Sequence, residues 1–213
     1  MERPKLYMKP EGLTLSGIDM EIRGDFTRML PRLKRNNLLG EALVKAVRTK
    51  GEDRPLTIVD ATAGLGEDAL LLAAAGHRVF LFERDPVIAA LLKDALNRAN
   101  GDPLLKDIAG RMTLFCEDSI PALSRLSFRP DAVFLDPMFP GRQKSGLVKK
   151  KFQLLHLLEK PCEDEKALLS AAFLARPGKI IVKRPENGPY LSGKKPDYEL
   201  KGKNIRYDVY KIS

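Results

Sequence analysis

The sequence predicts an α/β protein with a mostly parallel sheet that ends in an antiparallel hairpin, preceded by a small basic N-terminal segment. Three observations predict it. From residue 56 to residue 185, short apolar runs alternate with stretches of helical periodicity, the pattern of strand–helix–strand units. The runs are apolar throughout, as in strands covered on both faces. The last stretch, 196–213, instead alternates and turns at Lys201-Gly202-Lys203, which reads as a hairpin.

The elements follow in order. Residues 1–35 read as irregular, with short candidate strands at 12–16 and 18–24. Residues 37–51 place Leu39, Ala42, Leu43, Ala46 and Val47 at helical spacing and stop at Gly51, so one helix is expected there. A strand over 56–61 ends in Asp60, and a helix over 66–76 closes at Gly76. The strand 78–84 is followed by a helix over 86–100, with Pro86 where its missing N–H costs nothing. Strands at 111–118 and 132–137 come next, then a helix over 163–175 and a strand over 179–185. The domain boundary is expected near residue 50, with 1–50 a basic segment bearing a helix and 51–213 the α/β domain.

Composition narrows the function. Hydrophobic residues make up 44% of 213, enough for one sizeable core. No apolar run reaches the roughly 20 residues needed to span a bilayer, and the N-terminus lacks the apolar stretch of a signal peptide. Cys116 and Cys162 match no metal or redox spacing, so they read as packing residues of a cytoplasmic protein. His77 and His156 are isolated and read as structural or surface residues, so no metal is implied. The net charge of +9 is unevenly placed. One basic block runs from Arg28 to Lys50, a second follows Asp136, and a third spans Lys183 to Arg206. Each block alone fits a solvated face; three together favour a polyanionic partner.

In open α/β sheets, ligands sit beyond the carboxyl ends of the strands. The first strand delivers "DATAGLGEDA", in which Gly64 and Gly66 permit a tight turn and Glu67 and Asp68 open a helix. Those carboxylates would repel a pyrophosphate and suit a ligand bearing cationic groups; the alternative is that they complement the helix dipole. The second strand ends at Glu83-Arg84, where an acid can accept both hydroxyls of a ribose. The third ends at Asp118-Ser119, which can accept from an exocyclic amine or serve as a helix N-cap. The fourth ends at Asp136-Pro137-Met138-Phe139: an acceptor for an amino group, a rigid proline and an aromatic face for stacking.

These residues resemble class I S-adenosylmethionine-dependent methyltransferases. "DATAGLGEDA" is similar to their methionine-side glycine motif, and "DPMF" to the (Asp/Asn)-Pro-Pro-(Tyr/Phe) motif of enzymes that methylate exocyclic amines of bases. From about residue 38 onward, "DATAGLGEDALLLAAAGHRVFLFERDPVIAALLKDAL", "LDPMFPGRQKSGLVKKK" and "IIVKRP" resemble the 16S rRNA guanine-N2 methyltransferases, the family named for guanine 1516. The resemblance implies a Rossmann-like fold, S-adenosylmethionine as cofactor, and 16S rRNA or the small ribosomal subunit as partner. It implies a cofactor site of Asp60, Gly64, Gly66, Glu67, Asp68, Glu83, Arg84, Asp118, Ser119 and Asp136, with Asp136, Pro137 and Phe139 at the chemistry.

On this reading the RNA phosphates meet Arg142, Lys144, Lys149, Lys150, Lys151, Lys183 and Arg184. Three rivals stay open. A nicotinamide-dependent oxidoreductase would share the sheet and Glu83 but need a turn that welcomes pyrophosphate. A non-catalytic RNA-binding ribosome-assembly module would use the same basic blocks. A methyltransferase for another exocyclic base amine, in RNA or DNA, would use Asp136 and Phe139 equally well.

Overall fold

The computed structural model describes residues 4–17, 20–49, 51, 53–137, 164–202 and 204–212. Phe139, the cations from Arg142 to Lys151, His156 and Cys162 lie outside the described residues. Ten strands are present among the described residues. Three form a small antiparallel sheet: β1 (Lys5–Lys9), β2 (Gly12–Gly17) and β3 (Met20–Ile22). The other seven form the main sheet: β4 (Thr57–Asp60), β5 (Arg78–Phe82), β6 (Met112–Phe115), β7 (Ala132–Leu135), β8 (Lys179–Pro185), β9 (Tyr198–Lys201) and β10 (Ile205–Lys211).

The main sheet runs in the order β6-β5-β4-β7-β8-β10-β9. The strands β4 to β8 pair in parallel, and β10 pairs antiparallel with both β8 and β9. The predicted hairpin is therefore present, with its second strand inserted against β8 and its first left at the edge. The chain builds outward from β4 through β5 to β6, then returns to add β7 on the other side. That reversal puts a crevice between the carboxyl ends of β4 and β7, where ligands bind in sheets of this kind.

Side chains alternate between two cores. Ile58, Val79, Leu81, Ala132, Phe134 and Ile181 face one; Val59, Phe82, Val133, Leu135, Ile180 and Val182 face the other. The first face is covered by α3 (Ala42–Val47), α4 (Glu67–Ala74) and part of α5 (Pro86–Asn100). The second is covered by α7 (Ser119–Leu123) and α8 (Glu165–Leu174). The short α6 (Lys106–Ala109) adds Ala109 to the first core. The small N-terminal sheet packs Leu15 and Ile22 against Leu91 of α5.

Three expectations change. The helix expected over 37–51 is broken. Two single turns, α1 (Leu30–Leu33) and α2 (Arg35–Leu38), precede α3. The break lies at Gly40-Glu41: the Gly40 N–H turns back onto the Asn37 carbonyl, and Glu41 is extended at φ −62°, ψ 128°. Glycine is a poor interior helix residue, so the chain bends there and re-enters the helix along the sheet. Second, residues 5–9 form a strand where irregular chain was expected; KLYMK is exposed at nearly every position and carries no alternation to reveal it. Third, Cys116 is exposed rather than packed. His77 is buried, and its Nδ1 accepts from the Leu56 N–H at 3.2 Å, a structural role.

The hairpin carries a buried charge pair. Arg206 donates to both Asp208 oxygens, at 2.7 and 3.2 Å, and its remaining nitrogen reaches the Glu186 and Gly188 carbonyls at 2.7 and 2.8 Å. Asp208 is fully buried. Removing one partner leaves the other charged and enclosed, which costs several kcal/mol. Asp208→Ala is therefore expected to lower stability by about 3 kcal/mol, read as a shift in the urea midpoint.

Candidate active site at the strand ends

The turn after β4 is shaped by two glycines. Gly64 has φ +54°, a region that side-chain-bearing residues avoid. Among the described residues a Cβ there would meet nothing within 4 Å, so the turn is open to them on that side. Gly66 has φ +76° and is also sterically required: a Cβ would lie 2.6 Å from Leu92 Cδ1 and 3.3 Å from Phe26 Cζ. The start of α4 is thereby pressed onto α5. Glu67 and Asp68 occupy its first turn, as the sequence predicts.

Glu83 ties this turn to the next. Its Oε2 accepts from the Gly64 N–H at 2.9 Å and its Oε1 from the Asp85 N–H at 2.8 Å. Burial pushes the Glu83 carboxyl up despite these two donors. Asp85 then caps α5 through the Val87 and Ile88 N–H groups, at 2.9 and 3.0 Å. Asp118 caps α7 through the Ile120 N–H at 2.8 Å, so its N-cap role is present, and Ser119 beside it is buried. Arg84 is exposed at the end of β5.

The densest cluster sits at the crevice between β4 and β7. The Asp136 N–H donates to Thr62 Oγ1 at 2.6 Å, and the Thr62 N–H donates to Asp60 Oδ1 at 3.1 Å. These bonds clip the two strand ends together across the reversal in strand order. From β8, the Lys183 ammonium lies 2.5 Å from Asp68 Oδ2 and 2.9 Å from Asp136 Oδ2. Tyr207 of β10 stands directly opposite Lys183 in the antiparallel register and is buried. The first turn of α4 and the end of β7 thus converge on one lysine of β8.

The electrostatics follow from burial and from these neighbours. Burial works against the Lys183 ammonium, but the carboxylates of Asp68 and then Asp136 outweigh it and hold its pKa above the ordinary lysine value. Burial pushes the Tyr207 hydroxyl up, with the Asp68 carboxylate adding to it. Asp60 is 1% exposed and is pushed up to about 8, by burial first, with Asp68 and Asp136 contributing.

Several residues singled out from sequence are thus brought together: Glu83 with Gly64, Asp68 with Asp136 through Lys183, and Asp60 with Asp136 through Thr62. Others are revised. Asp68 is not an open carboxylate awaiting a cationic ligand, because Lys183 already binds it. Lys183 is turned inward, its side chain 16% exposed, rather than offered to a phosphate. Arg184 was expected to bind RNA; it is fully buried on the opposite face of β8, where its Nε donates to the Pro189 carbonyl at 2.8 Å. Its pKa is lowered to about 10 by burial. Successive strand residues face opposite sides, so Lys183 and Arg184 could not both serve one surface. Thr62 and Tyr207 were not singled out from sequence. Thr62 lies inside the quoted glycine motif, and Tyr207 lies in the alternating tail; neither residue type announces a site by itself.

Comparison with known proteins agrees with this geometry. A family model described as "Putative SAM-dependent methyltransferase" matches residues 2–212. A ribosomal RNA small subunit methyltransferase J from Tolumonas auensis is 46% identical over 178 residues, covering 82% of this chain and 70% of that protein. The protein of the same name from Aeromonas salmonicida is 42% identical over 212 residues, covering 96% and 85%. The crystal structure of a SAM-dependent methyltransferase from Neisseria gonorrhoeae superimposes with a TM-score of 0.79 at 33% identity, covering 99% of this chain and 83% of that one. An rRNA methyltransferase from Streptomyces viridochromogenes shares the fold, with a TM-score of 0.54 at 17% identity, covering 82% and 84%. With a crevice at the reversal of strand order, an acid at each neighbouring strand end and relatives aligned over nearly its whole length, the chain belongs to the S-adenosylmethionine-dependent methyltransferase family that includes the ribosomal RNA small subunit methyltransferases J.

Proposed function

We propose that this enzyme transfers the methyl group of S-adenosylmethionine to the exocyclic N2 of a guanine in small-subunit 16S rRNA, at position 1516, in the cytoplasm. The observation that carries the reading is the placement of Asp136. Its backbone is clipped to the β4 end by Thr62, its carboxylate is steadied by Lys183, and the glycine turn opens beside it. The choice of guanine N2 in small-subunit rRNA rests on the resemblance of "DPMFP" and its flanks, and on the names of the relatives.

The residues fit the cofactor. The open side of Gly64 allows a ligand to approach the backbone closely. Beyond its two backbone bonds, each Glu83 oxygen keeps a second lone pair for a ribose hydroxyl. Asp118 and Ser119 stand at the next strand end, after β6, and would accept from an adenine amine. When bound, S-adenosylmethionine supplies a methyl group already activated on a sulfonium.

The chain's task is then to present the nitrogen. Guanine N2 gives its lone pair to the ring, so it is a poor nucleophile until it becomes pyramidal. Asp136, with the Pro137 carbonyl, accepts hydrogen bonds from the N2 hydrogens and favours that geometry. Asp136 would take the proton that N2 gives up as the methyl group passes from sulfur to nitrogen and the sulfonium leaves as a neutral thioether. Lys183 holds the carboxylate in register, and in-line placement supplies much of the rate. The base must first leave its stack, at a cost of a few kcal/mol. Phe139, the ring proposed to hold it, lies outside the described residues. Asp60, pushed up to about 8, is largely protonated at neutral pH and so adds little negative charge beneath Asp68 and Asp136.

Asp136→Ala is expected to lower kcat by roughly a thousandfold while the protein still folds cooperatively; full activity in that variant would remove Asp136 from the chemistry. Mass spectrometry of rRNA from cells lacking the protein should show the loss of one N2-methylguanine, and an unaltered methylation pattern would refute the substrate. Lys183→Met is expected to lower kcat by about 100-fold, with Lys183→Arg recovering part of it, in single-turnover methyl transfer. The Asp60 proton is held more tightly in the folded state than in the unfolded chain. Its contribution to stability is therefore fully present below about pH 4 and is lost as pH rises toward 8. Urea midpoints between pH 4 and 9 should show that decline in the wild type and a flatter profile in Asp60→Asn.

A further inference from the structure

We propose that the segment from Arg28 to Arg35 is the surface on which the RNA strand docks, its exposed cations gripping backbone phosphates beside the methyl-transfer site. The inference rests on the RNA-methylating reading above and names the surface that such a reading needs. From residue 28 to residue 40 the chain carries Arg28, Arg32, Lys34 and Arg35 and no acid.

These four cations are not equivalent. Arg32 is committed to Glu41 by a two-pronged bond at 2.8 and 2.9 Å, which fastens α1 to the start of α3. Arg28 leans on Asp25 at 3.2 Å, with its side chain 76% exposed. Lys34 and Arg35 are exposed and have no acid within salt-bridge distance among the described residues. Asn36 and Asn37 beside them are exposed too, and Lys, Arg and Asn are among the residue types that contact phosphate and sugar. Phe26, Met29 and Leu38 are buried in the main core, so the cations ride on an anchored scaffold.

The segment borders the site. Arg32 is raised in pKa by its bond to Glu41, with the Asp68 carboxylate adding to the shift. Glu41 in turn contributes to the raised pKa of Tyr207. The turn α1 touches α4, whose first turn carries Asp68, and α3 touches both α4 and β8. The α1 turn thus lies beside the element that carries Asp68, and Lys34 and Arg35 follow α1 directly in the chain. Lys183 and Arg184 cannot supply phosphate contacts there, because the first is bound by Asp68 and Asp136 and the second is enclosed. Position beside a nucleobase site, together with net positive charge, favours an RNA backbone over an acidic protein.

The test is the double variant Lys34→Ala/Arg35→Ala, with Lys106→Ala, an exposed cation on α6, as control. Binding of a small-subunit rRNA fragment is measured against salt, alongside methyl-transfer kinetics. The double variant should flatten the log–log salt slope by about 1 per cation removed. Its KM for RNA should rise by about tenfold, while kcat at saturating RNA and the affinity for S-adenosylmethionine stay near wild type. The control should keep the wild-type slope. An unchanged slope and KM in the double variant would overturn the docking surface, and so would loss of binding to a protein partner in place of RNA. Absence of methyl transfer by the wild-type enzyme would instead overturn the reaction assigned above, and the binding slope would still decide the docking surface.

Discussion

The site depends on one interaction: the Lys183 ammonium held between the carboxylates of Asp68 and Asp136. Each carboxylate belongs to a different element, one to the first turn of α4 and one to the end of β7. Without a cation between them, two negative charges would face each other across the crevice, in surroundings where charge is poorly screened. The lysine converts that repulsion into a fixed spacing. It also joins the two halves of the proposed site, since α4 follows the glycine turn proposed to receive the cofactor and Asp136 is the proposed acceptor-side carboxylate. Coupled bonds of this kind are worth more together than their separate deletions suggest.

The lysine can occupy that position only because the sheet changes direction. The strand β4 is flanked by β5 on one side and β7 on the other, so its carboxyl end opens onto a crevice rather than onto a neighbouring crossover. The Thr62 hydroxyl then bridges the gap by accepting from the Asp136 N–H. A threonine suits this task because its β-branched side chain has few rotamers to lose. Next to it, the buried Asp60 is pushed toward its neutral form, which lowers the charge density at the base of the cluster. The antiparallel β10 completes the arrangement by laying Tyr207 against Lys183 and limiting the approach of water.

Basic residues in the C-terminal third separate into two populations that charge counting cannot tell apart. Lys194, Lys195 and Lys201 are exposed. Arg184 and Arg206 are buried and bound to backbone carbonyls and acids within the hairpin and its approach. Arginine's planar fork lets it satisfy several carbonyls at once, which explains its use as an internal strut here. The same logic explains Arg32, whose two nitrogens meet both oxygens of Glu41. Net charge therefore overstates the cationic surface available to a polyanion, and the location of uncommitted cations is the more useful guide.

Much of the fold was legible before any coordinates. Strands with continuous apolar character, helices closed by glycine and a proline at the start of α5 are local signals, set by hydrogen bonding and by φ preferences within a few residues. Asp85 and Pro86 mark the start of α5, and the helix runs over Pro86–Asn100. Acids at successive strand ends were also visible, because parallel strands turn their carboxyl ends the same way. The break at Gly40-Glu41 was not visible, since the same apolar spacing serves one bent helix or two pieces. The pairing of Lys183 with Asp68 and Asp136 was equally hidden: it joins residues far apart in the chain, and it depends on strand order and on which face of β8 each side chain takes. Strand ends, turns and acids could be read from near-neighbour chemistry alone. Which acids share a cation, and which cations reach solvent, depends on the long-range register that brings β4, β7, β8 and β10 side by side.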